Sequence, residues 1–171
     1  PSPGANARSP RPGATRPLRI FIVENHEDTR FLLALLLEQL GHTVFTATTL
    51  AEALAAAPAA RCDVLISDIG LPDGNGWELM ARLGEERPPY AIAMSGFGQV
   101  SDRQRSLEAG YRHHLLKPVE PNRLEELLDG HLEVGGELGG GRGAAEVARE
   151  RLRGRLEPDR ELLQVARHAH R

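Results

Sequence analysis

Short apolar runs alternate with helical segments through the middle of the chain, between residues 18 and 131. Five of these runs are rich in aliphatic, β-branched and aromatic residues and stop at polar ones, which is typical of β-strands. They cover residues 18–23, 43–46, 64–66, 90–94 and a last run that ends at Leu116. Because most runs are continuously apolar rather than alternating, they favour a parallel sheet that is covered on both faces.

The segments between the strands carry helical signals, namely apolar residues at intervals of three and four, capping pairs and closing glycines or prolines. Helices are predicted over 31–40, from a Thr49–Glu52 capping box to a stop at Pro58, over 77–83, from a Ser101–Gln104 cap to Gly110, and from Pro121 onward. Five β–α units in succession predict an α/β fold, a doubly wound five-stranded parallel sheet.

The two ends of the chain differ from this regular segment. Residues 1–17 contain five prolines and no apolar core, so we predict a disordered Pro/Arg-rich lead-in or linker. Residues 132–171 are predicted to form a Gly-rich linker and a weakly helical tail. A G-x-G-x-x-A match that starts at Gly139 lacks the strand–helix setting of a dinucleotide site, so it is assigned to the linker.

Charge narrows the range of partners. Residues 18–131 hold 10 basic and 17 acidic residues, a net charge of −7, which argues against a nucleic-acid surface there. Lys117 is the single lysine of the chain, against 20 arginines. An acidic domain with one lysine indicates a cation site, or a partner that approaches through positive charge.

Cysteine usage and hydropathy bear on the compartment. Cys62 is the single cysteine, which excludes an internal disulfide and is typical of a reducing compartment, so we expect a cytoplasmic protein. The longest dense apolar run, residues 31–37, is too short to span a bilayer, and no membrane contact by this chain is expected.

Polar side chains follow four of the predicted strands where each strand ends: Glu24 with Asn25, Asp68, Ser95 and Lys117. The carboxyl ends of parallel strands meet at one edge of a sheet, so these side chains should converge. Neighbouring carboxylates need a cation, and oxygen ligands with room for water suit Mg²⁺. An ionised Asp68 beside a metal could attack a phosphoryl group, whose oxygens Lys117 and the Ser95 hydroxyl would then bind.

The segments IFIVEN (20–25), DVLISDIGLPDGNG (63–76), AMSG (93–96) and LLKP (115–118) together resemble the receiver domain of bacterial two-component response regulators. The resemblance covers about residues 18–131. It implies a flavodoxin-like (βα)5 fold with strand order 2-1-3-4-5. It also implies a cis peptide before Pro118.

The same resemblance assigns roles to the polar residues. Asp68 would be the phosphoacceptor, which takes a phosphoryl group from a phosphohistidine. Mg²⁺ would be held by Asp68, Glu24, Asn25 and the backbone carbonyl of Gly70. Ser95 would supply the switch hydroxyl, and Lys117 would pair with the phosphate.

The sequence departs from the family at two positions. Asn25 stands where an aspartate commonly binds the metal, so we expect weaker Mg²⁺ binding rather than none. His114 stands at the position of the rotating switch ring, usually tyrosine or phenylalanine, and histidine is smaller and titratable. His26, His42 and His113 lack the spacing to carboxylates or cysteines that would indicate a metal site.

Several functional readings stay open from the sequence. The leading one is a phosphorelay receiver that catalyses only its own phosphotransfer, is not otherwise an enzyme, and signals through protein contacts. Its partner would be a sensor histidine kinase or a histidine phosphotransfer protein, and the chain would be a stand-alone regulator or the receiver of a hybrid kinase. The alternatives are a degenerate receiver that acts as a binding module and an aspartate-nucleophile phosphatase. The latter normally has a second aspartate where this chain has Gly70.

Overall fold

The computed structural model describes the backbone of residues 16–137 and the side chains of residues 16–131. The predicted lead-in before residue 16 and the predicted tail after residue 137 lie outside the described residues.

Five strands form one parallel sheet in the order β2-β1-β3-β4-β5, so the predicted fold class and strand order are confirmed. The strands are β1 (Arg19–Val23), β2 (Thr43–Ala47), β3 (Val64–Asp68), β4 (Tyr90–Ser95) and β5 (His113–Leu116). The order reverses between β1 and β3, which opens a crevice at the carboxyl ends of those two strands.

The helices alternate with the strands as expected. They are α1 (Glu27–Gln39), α2 (Leu50–Ala60), α3 (Gly76–Leu83), α4 (Val100–Ala109) and α5 (Pro121–Glu137). A short hairpin, Gly70–Leu71 with Gly74–Asn75, leads from β3 into α3, and a 3₁₀ turn, Gly84–Glu86, follows α3. Within residues 16–137, no helix combines the length and apolar character needed to cross a bilayer.

The sheet separates two apolar cores, because alternate residues of each strand point to opposite faces. In β1, Phe21 faces the core under α2 and α3, whereas Ile20 and Ile22 face the core under α1 and α5. Burial on both faces explains why the strands are continuously apolar in sequence.

Two predicted helix starts are wrong. Helix α1 begins at Glu27, four residues before the apolar run at Phe31, because Glu27 and Asp28 form a polar first turn whose charges favour a helix amino end. Helix α4 begins at Val100 after an extended Gln99, and no side chain caps it. Ser101 therefore lies inside the helix rather than at its cap.

The predicted cap of α2 is confirmed and its predicted end is wrong. Thr49 accepts a hydrogen bond from the Glu52 amide. The helix runs through Pro58 to Ala60 and ends at Arg61 in the left-handed conformation. A proline removes one helical hydrogen bond, but Ala57 and Ala60 on either side of it are buried against the sheet, and that packing keeps the last turn helical.

Helix α5 begins at Pro121 as predicted and continues to Glu137, six residues beyond the receiver boundary that the sequence indicated at residue 131. Glycines at 135 and 136 lower helix propensity. They fall in the last turn, where a helix forms few of its backbone hydrogen bonds, so their cost there is small.

Gly76 sits where α3 approaches the carboxyl end of β3. A Cβ at this position would lie 2.9 Å from both the Asp68 carbonyl oxygen and the Tyr111 hydroxyl. We predict that Gly76→Ala lowers the free energy of unfolding by about 1–3 kcal/mol, as overpacking does in a dense core. The matched control is Gly130→Ala in α5, where no atom lies within 4 Å of the added carbon.

The control should raise the free energy of unfolding by up to about 1 kcal/mol, because alanine is the better helix former. Urea denaturation of the two variants and wild type checks both signs. Equal effects of the two substitutions would contradict the close approach at Gly76.

Candidate functional site

Three parallel strands deliver the site residues to one edge of the sheet. Glu24 directly follows β1, and its amide donates to the Ala47 carbonyl, so it continues the pairing with β2. Asp68 is the last residue of β3. Lys117 follows β5, and its amide donates to the Ser95 carbonyl at 2.8 Å. The predicted cis peptide between Lys117 and Pro118 is present.

The Lys117 ammonium lies between two buried carboxylates. Its Nζ is 2.7 Å from Asp68 Oδ2 and 2.6 Å from Glu24 Oε2. Glu24 is fully buried, and Asp68 is 5 % exposed. The single lysine of the chain therefore makes the contact that holds Glu24 and Asp68 together, a juxtaposition that would otherwise be repulsive.

The three groups shift one another's proton affinities. Burial raises the pKa of Asp68 and the Glu24 charge adds to this, although Lys117 opposes both. Burial also disfavours ionised Glu24, but the Lys117 ammonium and the hydrogen bonds from His26 leave its pKa below the usual value. Burial alone would lower the pKa of Lys117, yet the two carboxylates raise it. The nucleophile candidate is thus the more easily protonated carboxylate of the pair.

The oxygens of this cluster suit a divalent cation. Glu24 Oε2 is buried, and the contact described for it is the Lys117 ammonium at 2.6 Å, outside hydrogen-bond geometry. Ligand atoms of Glu24, Asp68 and His26 all lie within 4.8 Å of one another. Carboxylate oxygens with space for water fit Mg²⁺.

His26 has no carboxylate at the spacing of a metal site in the sequence, and in the structure its ring contacts Glu24. Its amide and its Nδ1 both contact Glu24 Oε1, at 2.9 and 3.1 Å. The signal was present as a glutamate two residues earlier, but a strand-to-helix turn had to bring the two side chains together. The buried Arg30 holds this turn by donating to the Glu24 carbonyl at 2.9 Å.

The other two predicted metal ligands are Asn25 and the Gly70 carbonyl. Asn25 is exposed beside the cluster, and its side chain makes no contact that the structure describes with the carboxylates. The Gly70 amide donates to Asp68 Oδ1 at 3.1 Å. The ligand role of the Gly70 carbonyl stays a prediction.

Ser95 and His114, the two predicted switch residues, contact each other. Ser95 Oγ donates to the Phe97 carbonyl at 2.6 Å and lies 2.7 Å from His114 Nε2. The other ring nitrogen of His114 lies 2.8 Å from Ser106 Oγ. His114 is 8 % exposed and bridges β4 and α4 through side-chain contacts on both ring nitrogens.

Asp73 is a structural residue that the sequence interpretation missed. It lies in the loop after Asp68, and its carboxylate accepts hydrogen bonds from the amides of Leu50 and Ala51 at 2.7 and 2.9 Å. Both bonds lower the pKa of Asp73, and the bond from Ala51 has the larger effect. They tie the loop that carries Gly70 to the amino end of α2, a contact across 22 or more residues that no local pattern encodes.

Comparison with known proteins gives consistent results. The family model described as the response regulator receiver domain matches residues 20–129. An uncharacterised 14.6 kDa protein of Leptolyngbya boryana is 36% identical over 114 residues, which are 64% of this chain and 86% of that protein. The KDP operon transcriptional regulatory protein KdpE of Escherichia coli is 35% identical over 109 residues, 64% of this chain but 48% of that regulator.

The solved structures agree. A CheY-like response regulator receiver domain protein from Methanospirillum hungatei superposes with a TM-score of 0.66 at 30% identity, over 72% of this chain and 99% of that one. The chain therefore spans a whole receiver structure but about half the length of a regulator such as KdpE. On the fold, the family match and these similarities, the chain belongs to the response regulator receiver domain family of two-component systems.

Proposed function

We propose that this receiver is active as a phosphoacceptor, and that Asp68 takes a phosphoryl group from the phosphohistidine of a sensor kinase or a phosphotransfer protein. The observation that carries the proposal is the Lys117 ammonium within 2.7 Å of Asp68, at the carboxyl end of a parallel sheet. A carboxylate in this setting has a nucleophilic oxygen, and the cation beside it can stabilise the phosphoryl charge as transfer proceeds.

The transfer itself needs little covalent chemistry from the protein. An Asp68 carboxylate oxygen forms a bond to phosphorus, the phosphorus–nitrogen bond of the donor breaks, and the departing imidazole takes a proton from solvent. Lys117 shifts from the carboxylate to a phosphoryl oxygen, and the Ser95 hydroxyl donates to another. The aspartyl phosphate carries more negative charge than the aspartate did.

Mg²⁺, when bound, would neutralise charge on the phosphoryl oxygens and orient them for in-line transfer. Glu24 and Asp68 would hold it, with Asn25 and the Gly70 carbonyl as the remaining candidates. The buried Glu24 Oε2, whose described contact is the Lys117 ammonium alone, supports this assignment. The Asn25 amide supplies an oxygen without a charge, so we expect the affinity for Mg²⁺ to be lower than with an aspartate.

The docking surface that we propose for the phosphohistidine protein is the exposed side of α1. Phe31, Leu32 and Leu35 are exposed there although they are apolar. Helix α1 begins two residues after Asn25, so a partner helix lying on these side chains would bring its histidine near Asp68. Exposed apolar patches of this kind commonly mark protein–protein contacts.

We assign the domain to signalling in the cytoplasm rather than to catalytic turnover. The single cysteine, Cys62, is a buried thiol that has no second cysteine to pair with, which suits a reducing compartment. A phosphatase with an aspartate nucleophile would need an acid–base group where Gly70 stands. The stand-alone and the hybrid-kinase arrangements both fit a domain of this kind.

The first prediction tests the phosphoacceptor. Incubation with acetyl phosphate and Mg²⁺ should add one phosphoryl group to the wild-type protein, measured by intact mass. Asp68→Ala should take up none, because the attacking oxygen is gone. The control Asp129→Ala removes an exposed aspartate of α5 and should be phosphorylated like wild type.

The degenerate-receiver alternative predicts a different result. It is motivated by Asn25, which stands where an aspartate commonly binds the metal. A wild-type protein that stays at its starting mass, or an adduct that survives Asp68→Ala, would favour that alternative and overturn the phosphoacceptor proposal.

The second prediction concerns the lost ligand charge at Asn25. Asn25→Asp should tighten Mg²⁺ binding by roughly tenfold, about 1.4 kcal/mol, because a carboxylate attracts the cation more strongly than an amide does. Isothermal titration calorimetry with MgCl₂ measures this. Asn122→Asp adds the same charge at an exposed position of α5 and should leave the affinity unchanged. Equal effects of the two substitutions would remove residue 25 from the metal site.

A further inference from the structure

Four side chains and one carbonyl form a continuous chain of hydrogen-bonding contacts behind the site. Trp77 Nε1 on α3 lies 3.0 Å from Ser106 Oγ on α4, and Ser106 Oγ lies 2.8 Å from His114 Nδ1 on β5. His114 Nε2 lies 2.7 Å from Ser95 Oγ, which in turn lies 2.6 Å from the Phe97 carbonyl oxygen. This series of hydrogen bonds therefore connects α3 to the loop after β4.

The two ends of this series of contacts constrain the directions of its hydrogen bonds. A carbonyl can only accept, so Ser95 donates to Phe97 and accepts from His114 Nε2, which therefore carries a hydrogen. An indole N–H can only donate, so Ser106 Oγ accepts from Trp77, and its own hydrogen can bond to His114 Nδ1. In that arrangement His114 is neutral, with its hydrogen on Nε2.

Burial supports the same protonation state. Ser106 is fully buried and His114 nearly so. Burial, and next the charge of Arg103, lower the pKa of His114, and the charge and backbone carbonyl of Asp102 oppose this only in part. A second hydrogen, on Nδ1, would also break the bond that Nδ1 of the neutral ring accepts from Ser106.

We propose that His114 is a positioning residue, which keeps the Ser95 hydroxyl a donor and couples it through Ser106 to Trp77 on α3. With a phosphoryl group on Asp68, as in the proposed function on which this step rests, Ser95 turns its hydrogen from the Phe97 carbonyl to a phosphoryl oxygen. Both are acceptors, so the bonds from Trp77 to Ser95 keep their direction while the distances along the chain change. A tyrosine or phenylalanine at position 114 could not form both bonds, because neither side chain has two ring nitrogens.

The protonation state is tested first, on the unphosphorylated protein, so that this arm does not depend on phosphoryl transfer. Histidine-labelled protein at neutral pH should show His114 by ¹⁵N NMR as the Nε2–H tautomer. Ser106→Ala should weaken this preference, because Nδ1 loses its donor. A His114 that carries its hydrogen on Nδ1, or an imidazolium at neutral pH, would overturn the proposal.

The coupling is tested with beryllofluoride, a phosphoryl mimic, in the presence of Mg²⁺. Trp77 is the only tryptophan of the chain, so its indole N–H gives a single resonance. In wild type this resonance should shift when beryllofluoride is added. In His114→Phe the shift should be lost while the Gly70 amide beside Asp68 still responds. Ser106→Ala should also lose the Trp77 shift. Because this variant retains the His114 ring, it tests the coupling even if His114→Phe does not fold.

Leu107→Ala on the exposed side of α4 is the control, and it should keep the Trp77 shift. An unchanged Trp77 shift in both His114→Phe and Ser106→Ala would overturn the coupling. A Gly70 amide that does not respond even in wild type would instead count against the phosphoacceptor site, so the two failures are distinguishable.

Discussion

The contact on which the site depends is the ion pair of Lys117 with Asp68 and Glu24. Two carboxylates sit side by side at the ends of β1 and β3, away from most of the solvent, and each favours protonation of the other. The ammonium between them keeps a nucleophile candidate available in a buried place. Lys117 follows β5, the outermost strand on one side of the sheet, whereas Glu24 and Asp68 belong to the inner strands β1 and β3. The ion pair therefore connects an outer strand to two inner ones.

The fold supplies the remaining constraints. Parallel strands whose order reverses between β1 and β3 bring the carboxyl ends of separate chain segments to one crevice. Side-chain hydrogen bonds to the backbone hold the loops at this crevice. The Arg30 guanidinium donates to the Glu24 carbonyl, and the Asp73 carboxylate accepts from the Leu50 amide. Behind them the hydrogen bonds through His114 connect the Ser95 hydroxyl to α3.

Sequence reasoning predicted what depends on pattern and failed where tertiary contacts decide. The apolar runs gave the sheet and its buried faces, and Asp68 and Lys117 were found because strand ends must meet. The start of α1 at Glu27 was missed because a polar first turn carries no apolar signal. The start of α4 at Val100 was missed because Ser101 is a typical cap residue, yet no side chain caps this helix. Packing overrode the proline at 58. The contacts of His26 with Glu24 and of His114 with Ser106 depend on side-chain directions that spacing does not encode.

The most direct test of the account is the state of the one lysine. Protein labelled with ¹⁵N at the lysine Nζ should give a single ammonium resonance that exchanges slowly with water at neutral pH, because Lys117 is paired with two carboxylates that raise its pKa. Phosphorylation with acetyl phosphate should shift this resonance, and in Asp68→Asn the reagent should leave it unchanged. A rapidly exchanging ammonium that phosphorylation leaves unaffected would contradict the central role of this ion pair.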